Sequence, residues 1–218
     1  MSSRRTLNKS EGSTNPATKF LEWKSNQKSF SYYDKDKGEN VKVELPLKIQ
    51  FLEHFHTVKG WNDASESGIY SNEVKFISKE PLKVKAFKGG EIAEGLYKDI
   101  RLKIIDAGGK YYKSIYCLLN GDIVNLQIKG AVVSAYTDFM SEHENQVEGN
   151  WITIESVKDH KKGATEYSTP NFEIGKAFTK AENALANDKY QDIIDYFDAY
   201  TKPQEEEEEE ETIDDLAF

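Results

Sequence analysis

The sequence predicts a mainly β chain of the α+β class, with a helical C-terminal segment and a disordered acidic tail. Three observations predict it. Short runs of alternating apolar and polar residues recur along most of the chain, the period-two pattern of half-buried strands. Turn residues such as Asp34-Lys35-Asp36-Lys37-Gly38 and Asn120-Gly121-Asp122 separate those runs. The period lengthens to that of a helix only near residues 130–143 and again from Glu173. Apolar residues make up only 38% of the 218, yet 11 Phe, 12 Tyr and 3 Trp supply enough ring surface for a core.

In chain order, residues 1–18 read as a flexible polar arm, and order is expected to begin near Phe20 or Trp23. Residues 28–33 are strand-like and aromatic. Over residues 41–56, Val41, Val43, Leu45, Leu47, Ile49 and Phe51 share one face, with a bend at Pro46. Residues 59–68 read as a polar loop carrying Trp61, and 69–77 and 82–87 as short strands. Two further strands, 96–105 and 111–119, flank Asp106-Ala107-Gly108-Gly109, a strong hairpin signal. A strand at 123–128 is followed by a helix at 130–143 with Val132, Tyr136, Phe139, Met140 and His143 on one face. Strands follow at 151–157 and 167–172. From Glu173 to Tyr200 two apolar sets lie out of phase around Asn187-Asp188, which predicts two helices or one broken helix.

Strands, then a helix, then further strands suit an elaborated OB-fold-like barrel, in which a helix separates the third and fourth strands. The expected organisation is an arm at 1–18, the barrel at 19–172 as the nucleic-acid-binding domain, a helical segment at 173–202 and the acidic tail at 203–218.

Charge is concentrated at one end. The formal net charge is −9, but nine of the 38 acids lie in the last 14 residues, leaving 29 acids against 29 bases elsewhere. Blocks of like charge are usually solvated interaction tails. No stretch approaches the length of a membrane span, and the N-terminal residues lack the apolar region of a secretion signal, so a cytoplasmic location is expected. Cys117 is the only cysteine, which excludes an intramolecular disulfide and a multi-cysteine zinc site. No phosphate loop or nucleophile elbow is found. His54 and His56 alternate but lack a second ligand cluster. The expectation is therefore no enzyme, no metal and no cofactor.

Cations interleaved with aromatic rings are the stronger signal. A single-strand binder needs cations along the phosphates and flat rings under the bases. The candidate DNA-binding residues are Lys28, Tyr32, Tyr33, Lys59, Trp61, Lys75, Lys83, Lys85, Phe87, Lys88, Lys110, Tyr111, Tyr112, Lys113, Lys161 and Lys162.

The tail reads Glu205 through Glu211, then Thr212-Ile213-Asp214-Asp215-Leu216-Ala217-Phe218. It resembles the acidic tip of bacterial and phage single-stranded DNA-binding proteins, which ends in aspartates, an aliphatic residue, a Pro or small residue, and Phe. Asp214, Asp215, Leu216 and Phe218 match, while Ala217 stands where the bacterial tip usually has Pro. The glutamate run directly after a helix, without a long Gly/Gln/Pro-rich linker, is closer to the phage style. The resemblance implies a non-enzymatic protein that coats single-stranded DNA without strong sequence preference, in replication, recombination and repair. It also implies that Asp214–Phe218 dock into replication and repair proteins. A monomer or small homo-oligomer without membrane association is expected, in the host cytoplasm if phage-encoded. The alternative is a protein-interaction or assembly adaptor whose acidic tail masks a basic site.

Overall fold

The computed structural model describes residues 14–201, which hold eleven strands and three helices. An antiparallel meander opens the chain: β1 (Lys19–Lys24), β2 (Ser29–Asp34) and β3 (Glu39–Val43). After the cis Leu45–Pro46 bond comes β4 (Leu47–Asn62), then β5 (Ser67–Ser71), β6 (Leu82–Ala86) and β7 (Gly90–Gly95). Next are α1 (Tyr97–Asp106), β8 (Gly109–Leu119), β9 (Asp122–Lys129) and α2 (Ala131–His143). The chain continues through β10 (Asn150–Lys162) and β11 (Thr165–Ala177) to α3 (Lys180–Thr201).

The sheet is mixed and open. Its path runs β3-β2-β1-β9-β8-β4-β5-β6-β7, and β10 joins β4 through residues 47–49 while pairing β11. The expected closed barrel is therefore not what the strands form: neither end of this path returns to the other. The pair β1–β9 is parallel and the other ladders are antiparallel. The central strand β4 spends its first residues on β10, its middle on β8 and its end on β5.

Three cores hold the layers. On the first face, α2 and the β10–β11 hairpin cover Leu21, Trp23, Phe30, Ile115, Leu126 and Ile128, with Val132, Tyr136 and Phe139 as the helix stripe. On the second face, α3 covers only part of the sheet, burying Ala186 and Ile193 against Leu52, Phe55, Tyr116, Leu118 and Ile123. A third cluster packs α1 on β5–β7 through Ile100 and Ile104.

Several segments differ from the sequence reading. Residues 14–18 belong to the fold, since Ala17 is buried, Thr18 N donates to Ile123 O at 2.8 Å and Asn15 Nδ2 donates to Tyr116 Oη at 2.9 Å. The expected loop at 59–62 is the end of β4. The expected strand at 96–105 is α1, and Gly108, at φ +93°, receives the chain just past its end. Residues 173–177 extend β11, and α3 is one unbroken helix. Its start carries a reciprocal cap: Thr179 N donates to Glu182 Oε2 at 2.7 Å, and Glu182 N donates to Thr179 Oγ1 at 3.3 Å. The tail residues Asp214, Asp215, Leu216, Ala217 and Phe218 lie outside the described residues. Among the described residues, no helix is long and apolar enough to cross a membrane.

Candidate nucleic-acid interface

Cross-strand partners point to the same side of a sheet, so the register sorts side chains by face. A bulge in β4 between Phe51 and Glu53 sets the outcome. Phe51 joins the first core, while Glu53, Phe55, Thr57, Lys59 and Trp61 turn to the second face beside Tyr116, Ser114, Tyr112 and Lys110. One row then crosses four strands as Lys110, Lys59, Tyr70 and Lys85. A parallel row carries Ser31, Glu22, Gln127, Ser114 and Phe55, and a third carries Phe20, Asn125 and Tyr116.

Beyond the reach of α3 this second face is open to solvent. Phe20, Tyr33, Trp61, Tyr70 and Phe87 keep between 38% and 74% of their surface exposed. Phe87 lies over Gly68, the cross-strand partner of Trp61: a Cβ on Gly68 would meet the Phe87 ring at 3.3 Å. The Phe87 and Tyr70 rings are 4.6 Å apart at their centroids. Gly60 and Gly108 let the end of β4 approach the start of β8. A Cβ on Gly60 would stand 2.3 Å from Gly108 O, and one on Gly108 2.2 Å from Trp61 O.

Cations accompany the rings. Lys59 Nζ sits over the Phe20 ring at 5.7 Å. Burial holds the Lys59 ammonium below the usual lysine range, opposed by the nearby Glu73 and Glu22 carboxylates. Lys59, Lys85, Lys88, Lys110 and Lys129 make no ion pair among the described residues, whereas Lys24 is paired with Glu22 and Lys83 with Glu94. Phe20, Lys24 and Tyr33 line a groove of about 820 Å³ that also contains Asp34 and Asp36. Tyr196 and Phe197, in the last turns of α3, line a smaller recess with Phe20 and Lys59.

The sequence candidates divide into two groups. Lys59, Trp61, Lys83, Lys85, Phe87 and Lys110 come together on the open face, with Lys88 at the turn beyond β6, while Tyr33 stands apart on β2 in the groove with Asp34 and Asp36. The others do not join them. Lys28 lies in the β1–β2 turn and pairs with Asp159 at 2.7 Å. Lys75 pairs with Glu53, and Lys161 with Glu166 at 3.3 Å. Tyr32 belongs to the first face, where its ring lies under Lys19. Lys162 stands at the end of the β10–β11 hairpin.

The cluster from Tyr111 to Lys113 is mostly interior, which removes it from the surface expected of a hairpin. Tyr112 is buried and accepts a hydrogen bond from Lys129 Nζ at 2.6 Å. Lys113 is buried over the Tyr136 ring, with its ammonium disfavoured by desolvation. The Tyr111 hydroxyl bonds to His56 Nδ1, and Tyr136 Oη to His54 Nδ1 at 3.2 Å. Burial, reinforced by the Lys113 charge, holds both histidines down at about 4.

Sequence reasoning passed over Phe20, Lys24, Tyr70, Lys129 and Gln127. Alternation of Phe20, Glu22 and Lys24 against Leu21 and Trp23 was the available signal for β1. The other three depend on register between distant strands. No protein-family model, curated protein or solved structure matches this chain.

Proposed function

We propose that this chain is a sequence-nonspecific single-stranded DNA-binding protein acting in DNA replication, recombination and repair. In this reading the open half of the second face takes the strand, and the acidic tip recruits partner proteins. The observation that carries it is the row Lys110, Lys59, Tyr70 and Lys85 beside the exposed rings of Trp61 and Phe87. Lysines that make no direct ion pair neutralise phosphates and release condensed cations, which drives binding without reading sequence. Flat rings accept any base, at about 1–3 kcal/mol per stacked base. An open, twisted sheet face serves here in place of the expected OB-like barrel. With the body outside the tail formally neutral, local clustering of cations rather than net charge supplies the attraction.

The test is a titration of labelled oligo-dT against duplex of equal length. Oligo-dT binds more tightly, and its affinity falls with salt at a slope of about −0.7 per neutralised phosphate. Equal affinity for duplex, or no binding of either at low salt, refutes the reading.

A further inference from the structure

A pocket of about 420 Å³ opens where β1 and β9 part. The two strands run parallel over only four paired positions, the last being Glu22 with Gln127. Beyond it β1 turns back toward β2, while β9 passes through Gly130 into α2. In open α/β sheets ligands favour the crevice beyond the carboxyl ends of diverging parallel strands, and this single parallel pair opens a crevice at the same end. Here β11 closes its far side: Trp23 Nε1 donates to Ser168 O at 2.9 Å, and Ser168 Oγ donates to Ser25 O at 2.7 Å.

Because the fork splits the sheet, both faces contribute to the lining. Trp23, Tyr112 and Tyr167 provide aromatic walls. Lys129 and Lys162 bring two cations to the lining. Gln127 is only 4% exposed, and its side-chain amide makes no hydrogen bond among the described residues while its polar atoms keep contact with solvent. It lines this pocket and also the two neighbouring recesses on the second face. With no protein partner, the amide is free to bond a polar group that enters the pocket in place of solvent.

We infer that this pocket takes one nucleobase of the bound strand, with its ring against the aromatic walls and its hydrogen-bonding edge on the Gln127 amide. The inference rests on the single-strand reading above. The side-chain amide presents one donor group beside one acceptor, the combination that base edges also display. A hydrocarbon would fill the walls but leave the amide unpaired. Lys129 and Lys162 suit the flanking phosphates, and the shared Glu22 and Gln127 lining joins the pocket to the open groove. Gln127 thereby adds base discrimination to a surface whose other contacts tolerate any sequence.

The test measures dT12, dA12 and dC12 binding by wild type, Gln127→Leu, Gln127→Glu and Lys59→Ala, with thermal melting to confirm folding. Wild type ranks the three homopolymers. Gln127→Leu lowers affinity for the preferred one about five-fold, the size of one lost hydrogen bond, and levels the ranking with the salt slope unchanged. Gln127→Glu, which offers acceptors only, moves the ranking toward the amino-bearing dA12 and dC12 relative to dT12. Lys59→Ala instead weakens all three alike and reduces the salt slope by about 0.7. If folded Gln127 variants keep the wild-type ranking and affinities, the base pocket is refuted while single-strand binding stands. Displacement of dT12 by free thymidine monophosphate at equal molar affinity also refutes it, assigning the pocket to a free nucleotide. If wild type binds no oligonucleotide, both readings fall together.

Discussion

Trp61 and Phe87 keep their rings in solvent because Gly68 leaves room beneath Phe87 and places no side chain opposite Trp61. Trp61→Ala or Phe87→Ala should therefore weaken oligo-dT binding by about 1–3 kcal/mol each, with melting temperature nearly unchanged. The lysines divide by their partners. Lys59→Ala and Lys110→Ala should reduce affinity and salt slope, whereas Lys28→Ala and Lys75→Ala, whose charges are already answered by Asp159 and Glu53, should do so much less. Fluorescence anisotropy over a salt series separates the two groups, and four equal losses would dissolve the distinction. His54 and His56 make a different prediction. Their folded pKa of about 4 lies below the ordinary 6.5, so the unfolded chain takes up protons first as pH falls. Stability present above pH 6.5 is lost between 6.5 and 4, by roughly 1 kcal/mol per histidine once partial solvent contact is allowed for. Urea midpoints at pH 7 and pH 4.5 measure this, and a His54→Gln, His56→Gln double variant should show a smaller difference between them.

Among the elements, α3 decides how much of the second face is open. Ala186, Tyr190, Ile193 and Phe197 form a single stripe against the sheet, with Phe197 stacked on Phe55 at 4.1 Å. Ile193→Ala should cost about 2–4 kcal/mol through the cavity it leaves, and Thr179→Ala about 1 kcal/mol through the lost cap. Denaturant unfolding checks both; a larger loss at Thr179 than at Ile193 would contradict this packing. The same helix shows what could be read from sequence. Its apolar positions were visible, but Asn187-Asp188 suggested a break because local cap chemistry does not reveal the sheet that supports the helix through it. In α1, alternation of Ile100, Leu102 and Ile104 imitated a strand; only Ile100 and Ile104 are buried, one helical turn apart, and Leu102 faces solvent. The Gly108-Gly109 signal marked a helix stop rather than a hairpin. Strict alternation along β6 puts Lys83 and Lys85 on one face and buries Leu82, Val84 and Ala86 on the other. Alternation failed for Tyr111 through Lys113 because it separates two faces without telling which of them other elements cover.

At the scale of the molecule, Tyr196 and Phe197 in the last turns of α3 lie beside Phe20 and Lys59, and nine acidic side chains follow at positions 205–215 of the sequence. Deleting residues 205–218 should strengthen oligo-dT binding, most of all at low salt where those charges are least screened. Unchanged affinity at low ionic strength would rule out competition between tail and DNA. The parallel β1–β9 pair has a consequence for how the protein is made. Thr18 and Ile123, bonded at the head of that pair, are 105 positions apart in the chain. At about 5–20 residues per second, a ribosome takes roughly 5–20 s to add that interval. Through that time the β1–β3 meander lacks β9, the strand that β1 pairs, and its Leu21, Trp23 and Phe30 side chains lack the part of their core that β9 and later elements supply. The meander therefore reaches its place in the sheet only after more than half of the chain has been made.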